Sequence, residues 1–279
     1  MNSSLTPQDL DFYATQGYLL KENFFPKDFI DNIVYEIEDF LKNSKIEIKF
    51  RDSYLPNSAD STFRFAQNQN EIDADGKPLD FGFEKYFNFL GNNLKYFDEM
   101  VFSEEIKNVL KDIGYRHPRI GFIDYLIRTP LKTKEYDQAH IENDHIFTDP
   151  PYTSVLWITF DDVSESEGCL WVEPEGHKKT YETTQIIRDN GKVKYRNKIG
   201  ELSEKRKSNL QFSTKTFKPL KATKGSLVVM NGFTPHIGDF NQSGKRKRRL
   251  SIAVVENSNT YPSENYIENN AAKPFPIFY

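Results

Sequence analysis

The stretch AHIENDHIFTDPPYT, Ala139 to Thr153, brings His140, Glu142, Asp144 and His145 close together in sequence. Two imidazoles and a carboxylate on one side of a divalent ion leave the other side open, the arrangement of an Fe(II) oxygenase. The same donors also hold zinc in hydrolases. Residues i and i+2 of an extended strand share a face. His140 and Glu142 can therefore reach one ion, and Asp144 joins them as an alternative carboxylate if the strand continues. His145 is close enough to line the same pocket. His-x-Glu alone is a weak signal, and a third ligand has to come from another strand. His236 is the candidate, because GSLVVMNGFTPHIGDFN reads as strand, turn, then histidine. His117, beside Pro118, and His177, after a turn glycine, read as surface or turn residues. In GKRKRRLSIAVVE, Lys247 and Arg249 fall on one strand face and Arg248 on the other. The ordinary reading of such a run is solvated charge, or a patch for an anionic partner.

The elements that would position these residues come in two textures. LTPQDLDFYATQGY reads as a helix with Thr6 as N-cap, Pro7 in its first turn and Gly17 ending it. GYLLKENFF reads as a short strand. In PKDFIDNIVYEIEDFLKN the residues Phe29, Ile30, Ile33, Ile37, Phe40 and Leu41 recur at helical spacing. Residues 44–80 read as polar and irregular, and EKYFNFLGNNLKYFDEMVFSEEIKNVLKDIG as two helices. After Gly114 the chain turns β-rich: RIGFIDYLIRTP, SVLWITFDDV, GCLWVEP, TFKPL, GSLVVMNG and RRLSIAVVE are short strands separated by turns. Helices followed by strands predict an α+β domain, mainly β. The expectation is one domain over 1–279, with a mainly helical part at 1–114 and a β core at 115–279. A charged insertion at about 180–212 reads as a surface excursion or lid.

Composition narrows the partners. A net charge of −4 over 279 residues argues against a dedicated nucleic-acid binder. The 23 Phe and 15 Tyr suit strands and an aromatic-lined interior. The single cysteine, Cys169, sits in the apolar run CLWV and cannot form an internal disulfide, so a reduced thiol and a cytoplasmic setting are expected. No apolar run approaches the ~18 residues of a membrane span. MNSSLTPQDLDFY lacks the basic and apolar regions of a secretory signal.

SVLWITFDDVSESEGCLWVEPEGHK and KATKGSLVVMNGFTPHIGDFNQS, with LTPQDLDFYATQGYLL and the ending YPSENYIENNAAKPFPIFY, resemble the phytanoyl-CoA dioxygenase family, and most closely its phytanoyl-CoA dioxygenase domain-containing branch. The resemblance spans nearly the whole chain and is thinnest at 42–115 and 180–215. It implies a double-stranded β-helix (a cupin-like jelly roll) buttressed by N-terminal helices. It also implies a non-haem Fe(II)- and 2-oxoglutarate-dependent hydroxylase that acts on a small organic molecule with O2 and releases succinate and CO2. The family's ligands are His-x-Asp and a distal His, which fall on His140, Glu142 and His236. The carboxylate position thus carries Glu in place of Asp. The TDPP at 148–151 favours His140 over His145 as the first ligand. The family's arginine for the far carboxylate of 2-oxoglutarate falls, without a gap, on Lys247. Either Lys247 serves there as a point-charge partner, or Arg249 or Arg248 takes that role after a local shift. Trp157 matches a tryptophan near the 2-oxoglutarate pocket, and Tyr125 precedes the metal strand within reach of the cosubstrate; both also read as core aromatics. Asn241 and Ser243 read as shaping a loop. Three other readings stand beside the oxygenase: a degenerate relative that binds without turnover, an interaction module working through 245–249, and a zinc hydrolase.

Overall fold

The structure is a computed structural model that describes residues 5–43, 50–51, 63–66, 84–87, 93–128, 141, 153–179, 185–189, 192–196, 202–203, 214–238 and 241–256. Helix α1 (Pro7–Gln16) starts at the expected cap. The Thr6 hydroxyl accepts the Asp9 N–H at 3.2 Å, and the Asp9 carboxylate accepts the Thr6 N–H at 2.9 Å. Gly17 ends the helix in the left-handed region. Strand β1 (Tyr18–Lys21) follows, then α2 (Lys27–Asn43). Helix α2 buries Ile30, Ile33, Val34 and Ile37 against the sheet, worth roughly 2 kcal/mol per side chain.

Next come β2 (Phe50–Arg51), β3 (Phe63–Ala66), β4 (Glu84–Phe87), α3 (Lys95–Val101) and α4 (Glu104–Asp112). Glu36 of α2 caps α3, its carboxylate accepting the N–H groups of Tyr96 and Phe97 at 2.9 and 3.1 Å. The supposedly irregular 44–80 contains β2 and β3. EKYF, read as the start of a helix, is β4, because pairing with β5 overrides its local pattern.

The β-rich remainder comprises β5 (Pro118–Arg128), β6 (Thr153–Thr159), β7 (Leu170–Val172), β8 (Gln185–Asp189), β9 (Lys192–Arg196), β10 (Leu202–Ser203), β11 (Lys218–Leu220), β12 (Leu227–Asn231), β13 (His236–Gly238) and β14 (Lys247–Glu256). The charged insertion is not a plain loop, since β8, β9 and β10 form a small antiparallel sheet within it. The alternation KVKYR is its strand signal.

The large sheet runs β1-β12-β6-β14-β5-β4-β3-β2 and is antiparallel except between β2 and β3. A three-stranded sheet, β11-β7-β13, faces it. Side-chain alternation sorts the large sheet into two faces. Leu156, Ile158, Leu227, Val229, Leu250 and Ile252 pack on the helices. Val155, Trp157, Val228, Met230, Ala253 and Val255 pack against Leu170, Val172 and Leu220 of the small sheet. The space between the sheets is therefore walled by every second residue of β6, β12 and β14.

Arg248 belongs to the helix side. Its fork holds Asp161 through Nε and Nη2 at 2.9 and 2.8 Å, while Nη1 reaches Glu38 of α2 at 2.9 Å. Asp161 thereby raises the guanidinium pKa further, so the clasp stays charged. Arg248→Met keeps the stem and removes the fork. It should lower the free energy of urea unfolding by about 1–3 kcal/mol. A loss below about 0.5 kcal/mol would mark the clasp as an ordinary surface ion pair.

Candidate active site

His236 opens β13 immediately after the turn that leaves β12. The turn is held from several sides. Asn231 accepts the Phe233 N–H on its side chain at 2.9 Å and the Thr234 N–H on its carbonyl at 2.9 Å. Gly232 donates to the Thr153 carbonyl, and Pro235 accepts from Glu173. His236 is 5% exposed and pairs with Val172, whose side chain faces the intersheet space. Its Nδ1 lies 3.0 Å from the Thr234 carbonyl oxygen. A carbonyl only accepts, so Nδ1 donates here, which leaves Nε2 as the ring nitrogen able to bind a metal. That is the tautomer a metal-binding histidine uses, fixed by a backbone carbonyl.

Thr234 is itself anchored. Its hydroxyl donates to the Gly17 carbonyl at 2.8 Å, and that carbonyl also accepts the Asn231 N–H at 2.9 Å. Gly17 has φ 82°, and a Cβ there would lie 2.3 Å from His177 Nδ1 and 2.6 Å from Thr234 Oγ1. His177 Nε2 donates to the Ala14 carbonyl at 3.0 Å. His177, expected to be a surface or turn residue, lies in the 3-10 turn Gly176–Lys178 and is a half-buried strut between α1 and the His236 turn.

The three adjacent cations have three fates. Lys247 pairs with Glu167 at 2.6 Å and the Asp162 carbonyl at 2.7 Å, and this contact holds the Glu167 carboxyl below the usual carboxylate range. Arg248 clasps the helix side. Arg249 is 9% exposed on the intersheet face, its guanidinium 5.6 Å from the Trp157 ring centroid. Trp157 is buried there, and its Nε1 has no hydrogen-bond partner among the described residues. Ser251 stands opposite Trp157 on one side and Asp124 on the other, so all three share this wall.

Tyr125 does not join them. It lies on the helix face, fully packed and edge-on to Phe160 at 5.1 Å, and burial pushes its phenol pKa far up. Cys169 is a buried free thiol, as expected. Asn241 accepts both the N–H and the hydroxyl of Ser243, shaping the loop before β14. His140, Glu142, Asp144 and His145 lie outside the described residues; Ile141 between the first two is fully buried. Among the described residues no cluster of three His, Cys, Asp or Glu could hold a metal. His236 is the member of the expected triad that the structure places.

The family model for phytanoyl-CoA dioxygenase (PhyH) matches residues 13–249. The chain belongs to the phytanoyl-CoA dioxygenase family. Its members use Fe(II) and 2-oxoglutarate. A phytanoyl-CoA dioxygenase of Arabidopsis thaliana is 26% identical over 292 residues, covering 100% of this chain and 98% of that protein. A phytanoyl-CoA dioxygenase domain-containing protein 1 homolog of Caenorhabditis elegans is 26% identical, covering 96% and 97%. Among solved structures, the non-heme alpha-ketoglutarate-dependent carbocyclase SnoK from nogalamycin biosynthesis superposes with TM-score 0.63 at 16% identity, covering 98% of this chain and 96% of that one. HygX from Streptomyces hygroscopicus, with nickel and 2-oxoglutarate bound, gives 0.58 at 11%, covering 91% and 88%.

Sequence reasoning missed Thr234 and Ser251. Ser251 was within reach, since it shares the strand parity of Arg249. The Thr234 tether joins residues 217 positions apart and leaves no local signal. Thr234→Val removes the tether but keeps the carbonyl that orients His236. It should weaken Fe(II) binding about three- to tenfold, and Thr234→Ser should restore it, as read by anaerobic metal titration. Gly17→Ala, strained at its φ and clashing on two sides, should cost about 2 kcal/mol or more in thermal or urea unfolding.

Proposed function

We propose that this chain is a non-haem Fe(II)- and 2-oxoglutarate-dependent oxygenase that hydroxylates a C–H bond of a small organic substrate. The reaction space is the gap between the two sheets, read as a double-stranded β-helix formed as a single domain with its N-terminal helices. The observation that carries this reading is Arg249. It is the one basic residue of Lys247, Arg248 and Arg249 that is both buried and on the intersheet face, the same space that His236 borders from the opposite sheet. The donor set fits the cosubstrate. A guanidinium fork matches a carboxylate bidentately, and the buried indole N–H of Trp157 needs an acceptor nearby.

In this reading His140, Glu142 and His236 hold the iron, with Asp144 as the alternative carboxylate. Arg249 takes the far carboxylate of 2-oxoglutarate and Trp157 walls its chain. Iron and 2-oxoglutarate, when bound, supply O2 activation, and 2-oxoglutarate is oxidatively decarboxylated to succinate and CO2 as C–H becomes C–OH. The protein's own contribution is placement. The Thr234 carbonyl keeps the proton on His236 Nδ1, and the apolar walls Val155, Met230, Ala253 and Val255 limit water near the reacting carbon. A carboxylate at position 142 favours hydroxylation, although Glu in place of Asp also favours a second reading, a relative that binds without turnover. No described helix is long and apolar enough to cross a membrane. The buried thiol of Cys169 supports placing the protein in the cytoplasm.

The basic residues provide the test. Arg249→Gln should weaken 2-oxoglutarate binding about 10- to 100-fold by calorimetry with iron present. Lys247→Gln should leave it within about twofold, since its charge is spent on Glu167. The opposite ranking would move the cosubstrate to the Lys247 end and overturn the assignment.

A further inference from the structure

The intersheet wall carries a second arginine at its other end. On β5, Asp124 faces Ser251 and Leu126 faces Arg249, so the even-numbered residues point between the sheets. Simple alternation would then put Ile120 inside and Arg119 into the helix core. The register with β14 shifts instead between Ala253 and Val254, with Ala253 opposite Phe122 and Val254 opposite Ile120. The residue skipped is Gly121. This bulge reverses the parity: Ile120 packs on the helices beside Val254, and Arg119 stands opposite Val255, which lines the intersheet space. Bulges that re-aim a side chain are a recurrent feature beside active sites.

Thr153 of β6 flanks Val255 from the other side and shares the parity of Val155 and Trp157. Arg119 and Thr153 thus sit one strand away from Val255 on either side, about 10 Å apart at their Cα atoms by strand spacing, which an arginine stem can bridge. Thr153 is 3% exposed and its Oγ1 is buried without a hydrogen bond. Arg119 is half-buried and its Nε is buried without one. Neither side chain has a hydrogen bond or ion pair to any described residue. Glu256, next along β14, is already committed to the N–H groups of Arg116 and His117 at 2.9 and 2.8 Å. Buried donors left this way cost stability and call for an acceptor.

That acceptor is not the cosubstrate. Arg249 and Val255 are six residues apart on β14, about 20 Å along the strand. The carboxyl carbons of 2-oxoglutarate are ~5 Å apart, so one molecule cannot serve both ends. We propose that Arg119 and Thr153 form a second anion subsite, which takes a carboxylate or phosphate group of the primary substrate and seats it across the intersheet space from the Arg249 end. The inference rests on the intersheet space being the reaction space.

The test is equilibrium binding of two probes, hexanoate and glycerol phosphate, to the full chain without iron or 2-oxoglutarate, read by tryptophan fluorescence and calorimetry. Saturable binding of either probe is expected, and the tighter one identifies the anion class. Arg119→Gln should weaken it about tenfold or more, Arg119→Lys less, and Thr153→Val about threefold. The 2-oxoglutarate affinity of all three variants should stay within about twofold of the parent. No saturable binding by the parent, or equal affinity in Arg119→Gln and Thr153→Val, overturns the subsite. A protein that binds the probe through Arg119 but takes up neither iron nor 2-oxoglutarate keeps the subsite and loses the oxygenase reading. One that turns over 2-oxoglutarate without Arg119-dependent anion binding loses the subsite alone.

Discussion

The two-residue alternation of the central strand β14 is the constraint on which the rest depends. β14 is paired on both sides, to β5 and to β6, so its register cannot slip without moving every side chain to the wrong face. That fixed parity sends Arg248 to the helices and Arg249 between the sheets, although the two are neighbours in a run of like charge. Burying a guanidinium is costly unless an anion meets it. Arg248 meets Asp161 within the chain. Arg249 is buried on the intersheet face beside Trp157, where we propose that 2-oxoglutarate binds, and Lys247, at the strand's start, pairs with Glu167. The same run read as a solvated patch would have offered its charges to a macromolecular partner. Of that run, Lys245 and Arg246 are the exposed members.

A second constraint comes from the other sheet. The His236 turn does not stand alone, because its carbonyls, amides and hydroxyl are tied to β6, β7 and the end of α1. Gly17 is the meeting point, and it works only as glycine because its φ and its neighbours leave no room for a Cβ. The N-terminal helix therefore has two roles, packing Tyr13 against the core and bracing the turn that presents His236.

Much of this was legible in the sequence. The cap of α1, the amphipathic α2 and the alternation of β5, β6, β12 and β14 all carry local signals that tertiary packing reinforces. The resemblance to the family supplied the ligand set and the chemistry, and the match of the family model over residues 13–249 bears out the family with its Fe(II) and 2-oxoglutarate. What was hidden depended on pairing. EKYF is a strand because β5 lies beside it. Tyr125 faces the helices because of β14's register, which a lone strand does not reveal. Arg119 is turned inward by a bulge that no residue type marks, since Gly121 is as compatible with a turn. The choice among Lys247, Arg248 and Arg249 likewise needed to know which face was covered by helices.

The central claim is that His236 and its partners form an iron site served by 2-oxoglutarate. Anaerobic addition of Fe(II) and 2-oxoglutarate to the apo-protein tests it directly, through the weak visible metal-to-ligand charge-transfer band that chelated 2-oxoglutarate gives. The account predicts a band in the parent protein that is lost in His236→Ala, His140→Ala and Glu142→Ala. Survival in Asp144→Ala would name Glu142 as the carboxylate ligand. A parent protein that shows no band at millimolar 2-oxoglutarate, or a band indifferent to His236→Ala, would contradict it.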